Sequence, residues 1–312
     1  MIIQTGQRTD IPAFYTPWFL RRLAEGYVLV RNPYHPSQVT RYLLNPDVVD
    51  LIGFCTKNPR PMLPHLDKLS AYGQYWYVTI TPYGRDIEPG VPPAEQIMAD
   101  FRSLSRQLGP HRVGWRYDPI LLHGQWTVDK HLEAFARMAA FLEGATHTCV
   151  ISFIDLYAKV RRNFPEIREI SHADRLLLGR EMTAIARSRG MTLRPCAEGT
   201  ELAAFGADCS GCMTIPLYEE ALGCRLHAPR TVNSRQGQCA CHLTCDIGAY
   251  DSCGHFCRYC YANHSADVVR SVMAKHDPAS PFLIGRSRPD DVIHTPRQTS
   301  WKEMQLRMDD LL

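Results

Sequence analysis

Short apolar and β-branched segments recur along the chain, and each is followed by polar or turn-forming residues. Their length and the turn signals that bound them are typical of buried strands. We therefore predict about eight strands. The segments are 1–4, 27–30, 49–54, 75–80, 113–115, 150–154, 192–195 and 243–247.

Amphipathic helices are predicted between these strands. Residues 129–142 place Leu132, Phe135 and Met138 at helical spacing, and residues 172–188 show the same periodicity before Gly190. Strands that alternate with helices favour a parallel sheet, and eight such units favour a barrel. We expect an α/β fold, a partial or complete TIM-like barrel of about eight parallel strands over residues 1–276.

The chain becomes polar and Pro-rich beyond this unit. We expect residues 277–312 to form a tail that packs on the surface and ends in a short amphipathic stretch at 304–312.

Charged residues follow most of the predicted strands. In a parallel barrel the carboxyl ends of the strands share one rim, where function is found. We therefore expect these residues to surround a single cavity; the alternative is that they merely bound the strands. The set is Arg8, Asp10, Arg31, Lys57, Arg116, Asp118, Asp155 and Glu198.

Composition narrows the class of protein. Of 312 residues, 45% are hydrophobic and 21% are charged, which excludes a disordered chain and supplies a sizeable core. No apolar run is long enough for a membrane span, and the N-terminus lacks the pattern of a signal peptide. We expect a cytoplasmic protein with no membrane partner. The net charge of +3 is too small to indicate a nucleic-acid partner by itself.

Cysteine is unusually abundant and clustered. Ten of the twelve cysteines lie between Cys196 and Cys260. In a protein that is not exported, clustered thiols favour metal or redox chemistry over disulfides. Cys55 and Cys149 lie within apolar strands and are expected in the core.

The sharpest motif is Cys253-x3-Cys257-x2-Cys260. Three thiolates on one tight loop can hold three irons of a [4Fe–4S] cluster and leave the fourth iron open to a small ligand. The alternative is a zinc site with His255 as fourth ligand, although His255 lies between Cys253 and Cys257 at an awkward spacing for one tetrahedron.

This motif resembles that of the radical S-adenosylmethionine (SAM) superfamily, including an aromatic residue before the third cysteine, here Tyr259. The resemblance implies that the open iron chelates the amino and carboxylate groups of SAM. An electron from the cluster then generates a 5′-deoxyadenosyl radical, with adenine packed near Tyr259.

The position of the motif implies a circular permutation. In the superfamily the cluster loop follows the first strand, whereas here it follows the last. Strand 1–6 would then occupy the place of the second strand, whose end contacts SAM. The cofactor-binding residues expected on this basis, together with Lys57 at a neighbouring strand end, are Gly6, Arg8, Thr9 and Asp10. The usual Gly-Gly-Glu motif is missing.

Nearly the whole chain resembles a bacterial group of uncharacterised proteins known as a domain of unknown function. The matching segments are R-T-D-I-P-A-F-Y (8–15), G-Y-V-L-V-R-N-P (26–33), F-x-T-K-N-P (54–59) and D-I-G-A-Y-x-x-C-x-x-x-C-x-Y-C-Y-A-N (246–263). This resemblance supports the fold and cofactor, and it says little about the substrate.

A second set of cysteines is expected to bind another metal centre, because members of that group look similar at these positions. An auxiliary cluster with four cysteine ligands fits the set; a structural zinc or buried, unligated thiols are the alternatives. The set is Cys196, Cys209, Cys239 and Cys241, with Cys212 as the substitute ligand if Cys209 points away.

These observations favour a radical SAM enzyme that acts on a small polar substrate and receives electrons from a donor such as flavodoxin or ferredoxin. They identify no catalytic residue. One alternative, not favoured, is a nucleic-acid repair or modification enzyme related to spore photoproduct lyase, since Tyr-Cys-Tyr-Ala at 259–262 resembles that group. Another is a zinc-stabilised binding protein without catalysis. Metal analysis would identify the zinc-stabilised binding protein, and salt-sensitive nucleic-acid binding would favour the repair or modification enzyme.

Overall fold

The structure is a computed structural model and describes residues 1–229, 241–243 and 245–303. A seven-stranded parallel sheet forms its centre, in the strand order β8-β7-β6-β5-β4-β1-β9. The strands of this sheet are β1 (Ile2–Gln4), β4 (Leu51–Thr56), β5 (Gly73–Thr79), β6 (Val113–Ile120), β7 (Thr148–Phe153), β8 (Thr192–Pro195) and β9 (Cys245–Asp246). The predicted α/β class and parallel sheet are confirmed, with seven parallel strands where about eight were expected. Among the described residues no pairing joins β8 to β9, so the sheet has two edges.

Helices connect the strands. The predicted helix 172–188 is found with the same bounds, and Ser171 caps it by accepting a bond from the Asp174 backbone N–H. The helices are α1 (Ile11–Phe14), α2 (Thr16–Glu25), α3 (Ala94–Leu108), α4 (Val128–Leu142), α5 (Ala158–Asn163), α6 (His172–Ser188), α7 (Ile215–Leu222) and α8 (Ala266–Met273). Short 3-10 turns lie at Leu63–Leu69, Pro110–Arg112 and Glu201–Phe205.

Alternate residues of each strand point to opposite faces of the sheet and enter two separate cores. On β5, Trp76 and Val78 pack in the larger core with residues of α3, α4 and α6, whereas Tyr75 and Tyr77 enter the smaller one. In the smaller core they meet Tyr218 of α7. Cys212, Met213 and Cys241 also pack on this second face.

The predicted strand 27–30 does not join the parallel sheet. β2 (Tyr27–Arg31) pairs antiparallel with β3 (Gln38–Leu43) in a separate three-stranded sheet, which β10 (Val292–His294) completes. The expectation that 27–30 joins the parallel sheet is therefore wrong, because a short apolar segment does not reveal which strand it pairs with.

The Pro-rich segment contacts both sheets. β10 pairs with β3, and the Trp301 backbone N–H donates to Asp50, just before β4, at 2.7 Å. The predicted amphipathic stretch 304–312 lies outside the described residues. Within the described ranges, no helix combines the length and the apolar character needed to cross a membrane.

Candidate metal centre

The three motif cysteines lie on a tight loop that follows β9 at one edge of the parallel sheet. Phe256, inside the loop, has a φ of 55°, in the left-handed region that a tight turn demands. Burial raises the pKa of Cys253 well above its ordinary value, and the charge of Asp10 and then those of Cys260 and Cys257 raise it further. The three thiols are partly buried, and because thiolates here would repel one another, a bound cation would stabilise them.

Asp10 ties this loop to the ends of two strands. It is 4% exposed. Its carboxylate caps α1 by accepting from the Ala13 backbone N–H at 3.1 Å, and it also accepts from the Lys57 backbone N–H at 2.7 Å. His255 Nε2 lies 2.8 Å from the same carboxylate. The first strand end, the end of β4 and the cysteine loop therefore meet at one buried charge.

His255 does not face the three sulfurs as a fourth ligand. Its Nε2 is engaged by Asp10, and its Nδ1 lies 3.1 Å from the carbonyl oxygen of Gly90. The backbone N–H of Gly90 donates in return to the His255 carbonyl at 2.8 Å, and a side chain at Gly90 would overlap the Gly254 carbonyl. In this arrangement neither ring nitrogen is available to a metal, which disfavours the zinc site with His255 as ligand.

Glu88 is a second buried connection, and the sequence analysis missed it. One of its oxygens accepts from Lys57 Nζ at 2.9 Å, from Thr81 Oγ1 at 2.7 Å and from the Tyr259 hydroxyl. Burial alone would lower the pKa of Lys57, but Glu88 and then Cys257 outweigh it and raise that pKa. Glu88 lies in a loop without a recognisable motif, so only its place after a predicted strand could have drawn attention to it.

Lys57 and Tyr259, both expected to bind cofactor, are thus brought together beside the loop. The Lys57 ammonium lies 5.7 Å from the centre of the Tyr259 ring. Burial raises the pKa of Tyr259 well above its usual range, with the charges of Cys257 and Glu88 adding to this effect, so its hydroxyl stays protonated and donates.

Arg8 and Gly6 have structural partners of their own. Arg8 forms a largely buried ion pair with Asp246 at the end of β9, and its guanidinium also donates to the Asp246 carbonyl at 2.7 Å. A Cβ at Gly6 would lie 2.3 Å from the carbonyl oxygen of Cys55, so β1 and β4 can approach only where residue 6 is glycine.

Three buried polar atoms near the loop have no hydrogen-bond partner among the described residues: Gln7 Nε2, Thr9 Oγ1 and Asn263 Oδ1. Contacts with neighbours place Gln7 and Asn263 at the loop, because the Tyr261 hydroxyl donates to the Gln7 carbonyl and the Asn263 amide donates to the Cys253 carbonyl at 3.0 Å. Buried polar groups are nearly always satisfied, so these atoms are available to water or to a polar ligand.

Charged residues lie on the same face of the sheet as α7, where the Arg116 guanidinium is 5.4 Å from the centre of the Tyr77 ring. Arg116 Nε donates to Asp118 at 2.9 Å, and the Ser152 hydroxyl donates to the other oxygen of that carboxylate. Burial would raise the pKa of Asp118, but Arg116 and Ser152 outweigh it and lower that pKa. Cys55 adjoins this group, and burial raises its pKa to about 12.

Among the remaining strand-end residues Arg31 lies apart, whereas Asp155 and Asp118 are both within electrostatic reach of Glu198. Arg31 pairs with Asp291 beside the small sheet, so its expected place on the rim is wrong. Asp155, after β7, is exposed. Glu198, after β8, accepts from the Phe153 backbone N–H at 2.8 Å, and burial raises its pKa to about 7.

In the second cysteine set, Cys196 and Cys241 lie beside Cys212 rather than beside Cys209. Cys212 Sγ lies 3.6 Å from Cys196 Sγ and 3.2 Å from Cys241 Sγ, and an Arg116 nitrogen lies 3.7 Å from Cys212 Sγ. Cys209 instead packs against the larger core, so Cys212 takes its expected place. Cys239 lies outside the described residues. As they stand, no three His, Cys, Asp or Glu side chains in the described ranges are arranged to hold a metal ion.

Comparisons with known proteins give a family and little else. A family model described as "Domain of unknown function (DUF1848)" matches residues 2–262. No curated protein matches the chain. A solved structure from Bacteroides thetaiotaomicron VPI-5482, described as "a putative alpha-L-fucosidase", is similar over 52% of this chain at 12% sequence identity, with a TM-score of 0.25. This chain covers 47% of that protein.

Proposed function

The chain belongs to the DUF1848 family, and we propose that it is a radical SAM enzyme acting on a small polar substrate. The observation that carries the proposal is the partly buried loop of Cys253, Cys257 and Cys260, beside buried polar atoms that lack hydrogen-bond partners among the described residues. Three cysteines of one loop are the ligand set that leaves one iron of a [4Fe–4S] cluster open.

The residues of the loop suit such a cluster. Burial and mutual repulsion disfavour three bare thiolates, and a cationic cluster relieves both. When bound, a [4Fe–4S] cluster with an open iron supplies the electron for reductive cleavage of SAM.

The surrounding residues hold the loop and receive the cofactor. Asp10 and Glu88 fix the loop from two sides, through His255 and Tyr259. Gln7 Nε2 is a donor for the carboxylate of SAM, and the Thr9 hydroxyl can pair with its amino group. We assign Arg8 and Gly6 to the support of this pocket.

The substrate would bind on the face of the sheet that carries α7, near the carboxyl ends of the strands, where Arg116, Asp118 and Ser152 form a partly buried polar group. A paired cation and anion suit a small substrate that carries both donors and acceptors. Exclusion of water from this face protects a radical from side reactions.

At a finer level of fold, we propose that the seven parallel strands form part of a TIM-like barrel that is circularly permuted relative to usual radical SAM enzymes. Support comes from the pairing of β9, which precedes the cysteine loop, with β1 at the start of the chain. The first and last parallel strands are thereby neighbours, as the permutation requires.

We also propose that Cys196, Cys212 and Cys241 bind an auxiliary iron–sulfur cluster. Their sulfurs are within contact distance, and an Arg116 nitrogen lies 3.7 Å from Cys212 Sγ. The hydrogen bond to Cys212, followed by burial, raises the pKa of Cys196 well above its usual value, so a bound cation would favour the thiolate here.

The test is reductive cleavage of SAM by anaerobically purified protein with dithionite. We expect 5′-deoxyadenosine from the native protein and none from the Cys253→Ala/Cys257→Ala/Cys260→Ala variant. The matched control, Cys224→Ala, lies outside both cysteine sets and should retain the product. Formation of 5′-deoxyadenosine by the triple variant, or zinc without iron in the native protein, would overturn the proposal.

A further inference from the structure

We propose that a basic surface beside the cysteine loop is the docking site for an acidic electron-donor protein. The surface consists of Lys159, Arg161 and Arg162 of α5, with the exposed rings of Tyr157 and Tyr261. This inference rests on the proposed function, because the docked donor would reduce the cluster.

The surface lies on the same side of the sheet as the loop. α5 begins a few residues after the carboxyl end of β7. The Lys159 ammonium lies 5.2 Å from the centre of the Tyr250 ring, in the segment that leads into the loop. Burial raises the pKa of Cys260, and the charge of Lys159 is among the groups that oppose this shift, which places Lys159 close to that thiol.

The cations of α5 are not neutralised by neighbouring acids. Within the described ranges, Lys159, Arg161 and Arg162 form no ion pair, and Arg161 Nε donates only to the Leu156 carbonyl. The acids that flank the helix have other partners: Glu166 pairs with Arg258, Glu169 pairs with Arg175, and Asp155 accepts from the Tyr157 hydroxyl. Charge therefore selects a partner rich in carboxylates.

Two aromatic rings lie beside these cations. Tyr157 is 39% exposed and Tyr261 is 50% exposed, with ring centres 6.2 Å apart. Tyrosine and arginine are the side chains enriched at the centres of protein interfaces. Tyr261 directly follows Cys260 in the chain. A donor bound against these rings would therefore be separated from a cluster ligand by a single residue.

A small surface of this kind favours a protein donor over a nucleic acid. Nucleic-acid affinity is supplied by some six to ten phosphate contacts along a groove, whereas α5 offers three cations on one turn and a half of helix. Transient electron-transfer complexes use small interfaces steered by charge. On docking, the donor loses one electron and the cluster gains one, and no bond forms or breaks.

The experiment compares two reductants of the cluster in the full chain. The probe is a bacterial flavodoxin in its hydroquinone form, and dithionite is the small reductant that requires no docking. Arg161→Glu/Arg162→Glu is the test variant. Arg106→Glu/Arg187→Glu is the matched control, because these exposed arginines lie in the last turns of α3 and α6. Those helices lead into the amino ends of β6 and β8, whereas the loop follows the carboxyl end of β9.

At low ionic strength we expect the test variant to be reduced by flavodoxin at least about tenfold more slowly than the native protein, and the difference to shrink with added salt. The control variant should match the native protein, and dithionite should reduce all three equally. If dithionite reduces a cluster but flavodoxin distinguishes neither variant, the docking site is refuted and the enzyme proposal stands. If reduction by dithionite reveals no cluster, both the docking site and the proposed enzyme function are refuted. Tighter, salt-sensitive binding of single-stranded DNA or RNA than of flavodoxin, lost in the test variant, would also refute the assignment.

Discussion

Replacement of Asp10 by alanine tests whether a single buried carboxylate holds the cysteine loop. The substitution removes acceptors from the Ala13 and Lys57 backbone N–H groups and from His255. Loss of a helix cap costs about 1 kcal/mol, and a buried donor left without a partner costs about 1–3 kcal/mol. The free energy of unfolding should therefore fall by roughly 3–7 kcal/mol, towards the lower end if water reaches the two donors.

The assay is equilibrium unfolding in urea, followed by circular dichroism. Thr127→Ala is the matched control, because Thr127 caps α4 through a single bond to the Lys130 backbone N–H and holds nothing else by its side chain. We expect it to lose only about 1 kcal/mol. Amide hydrogen exchange across residues 253–260 provides the local measurement, and protection there should fall in the Asp10 variant alone.

Two results would refute this reasoning. The first is a loss of stability in Asp10→Ala no larger than that in Thr127→Ala. The second is unchanged exchange protection in the cysteine loop, since the bond from His255 to Asp10 would then contribute nothing to its order.

Three further substitutions test other parts of the structure. Burial raises the pKa of Glu198 from 4.5 to about 7. The folded state therefore binds the proton more tightly, and the free energy of unfolding falls as pH rises between these values. Glu198→Gln should remove that fall, so in urea unfolding its gain in free energy of unfolding over the native protein should be roughly 2–3 kcal/mol larger at pH 8 than at pH 5. An equal gain at both pH values would contradict this. Gly6→Ala places a Cβ 2.3 Å from a carbonyl oxygen of the neighbouring strand and should cost about 1–3 kcal/mol or more in the same assay; unchanged stability would show that the strands separate freely. In the variant without the three loop cysteines, iron analysis should find about four irons per chain. Replacing Cys212 by alanine in that variant should remove this iron. If the variant without the loop cysteines holds no iron at all, the auxiliary cluster is excluded.

Local patterns were enough to predict the seven strands of the parallel sheet and two of the eight helices that the structure describes. The helix 172–188 has the predicted bounds because its periodicity is local and because Ser171 and Gly190 flank it directly as cap and stop. The partner of a strand is not local information. Residues 27–30 carry the same apolar pattern as a buried parallel strand, and only their antiparallel pairing with β3 removes Arg31 from the rim.

In the candidate site, too, the sequence could predict what depends on local spacing and could not predict what depends on distant contacts. The spacing of Cys253, Cys257 and Cys260 keeps three sulfurs near one another in any fold of that loop. The choice between Cys209 and Cys212 could not be made from their C-x2-C spacing, because the turn between them decides which side chain faces Cys196.

The contacts that hold the loop in place were the hardest to predict, because their partners are remote in sequence. Asp10 meets a histidine 245 positions away, and Glu88 meets a tyrosine 171 positions away. Asp10 was expected near the cofactor from its place after the first strand, whereas Glu88 has no motif; each is almost fully buried with at least two donors on one oxygen. A buried charge is tolerated only where such partners converge, so these two contacts explain why strand ends far apart in the chain must meet at the cysteine loop.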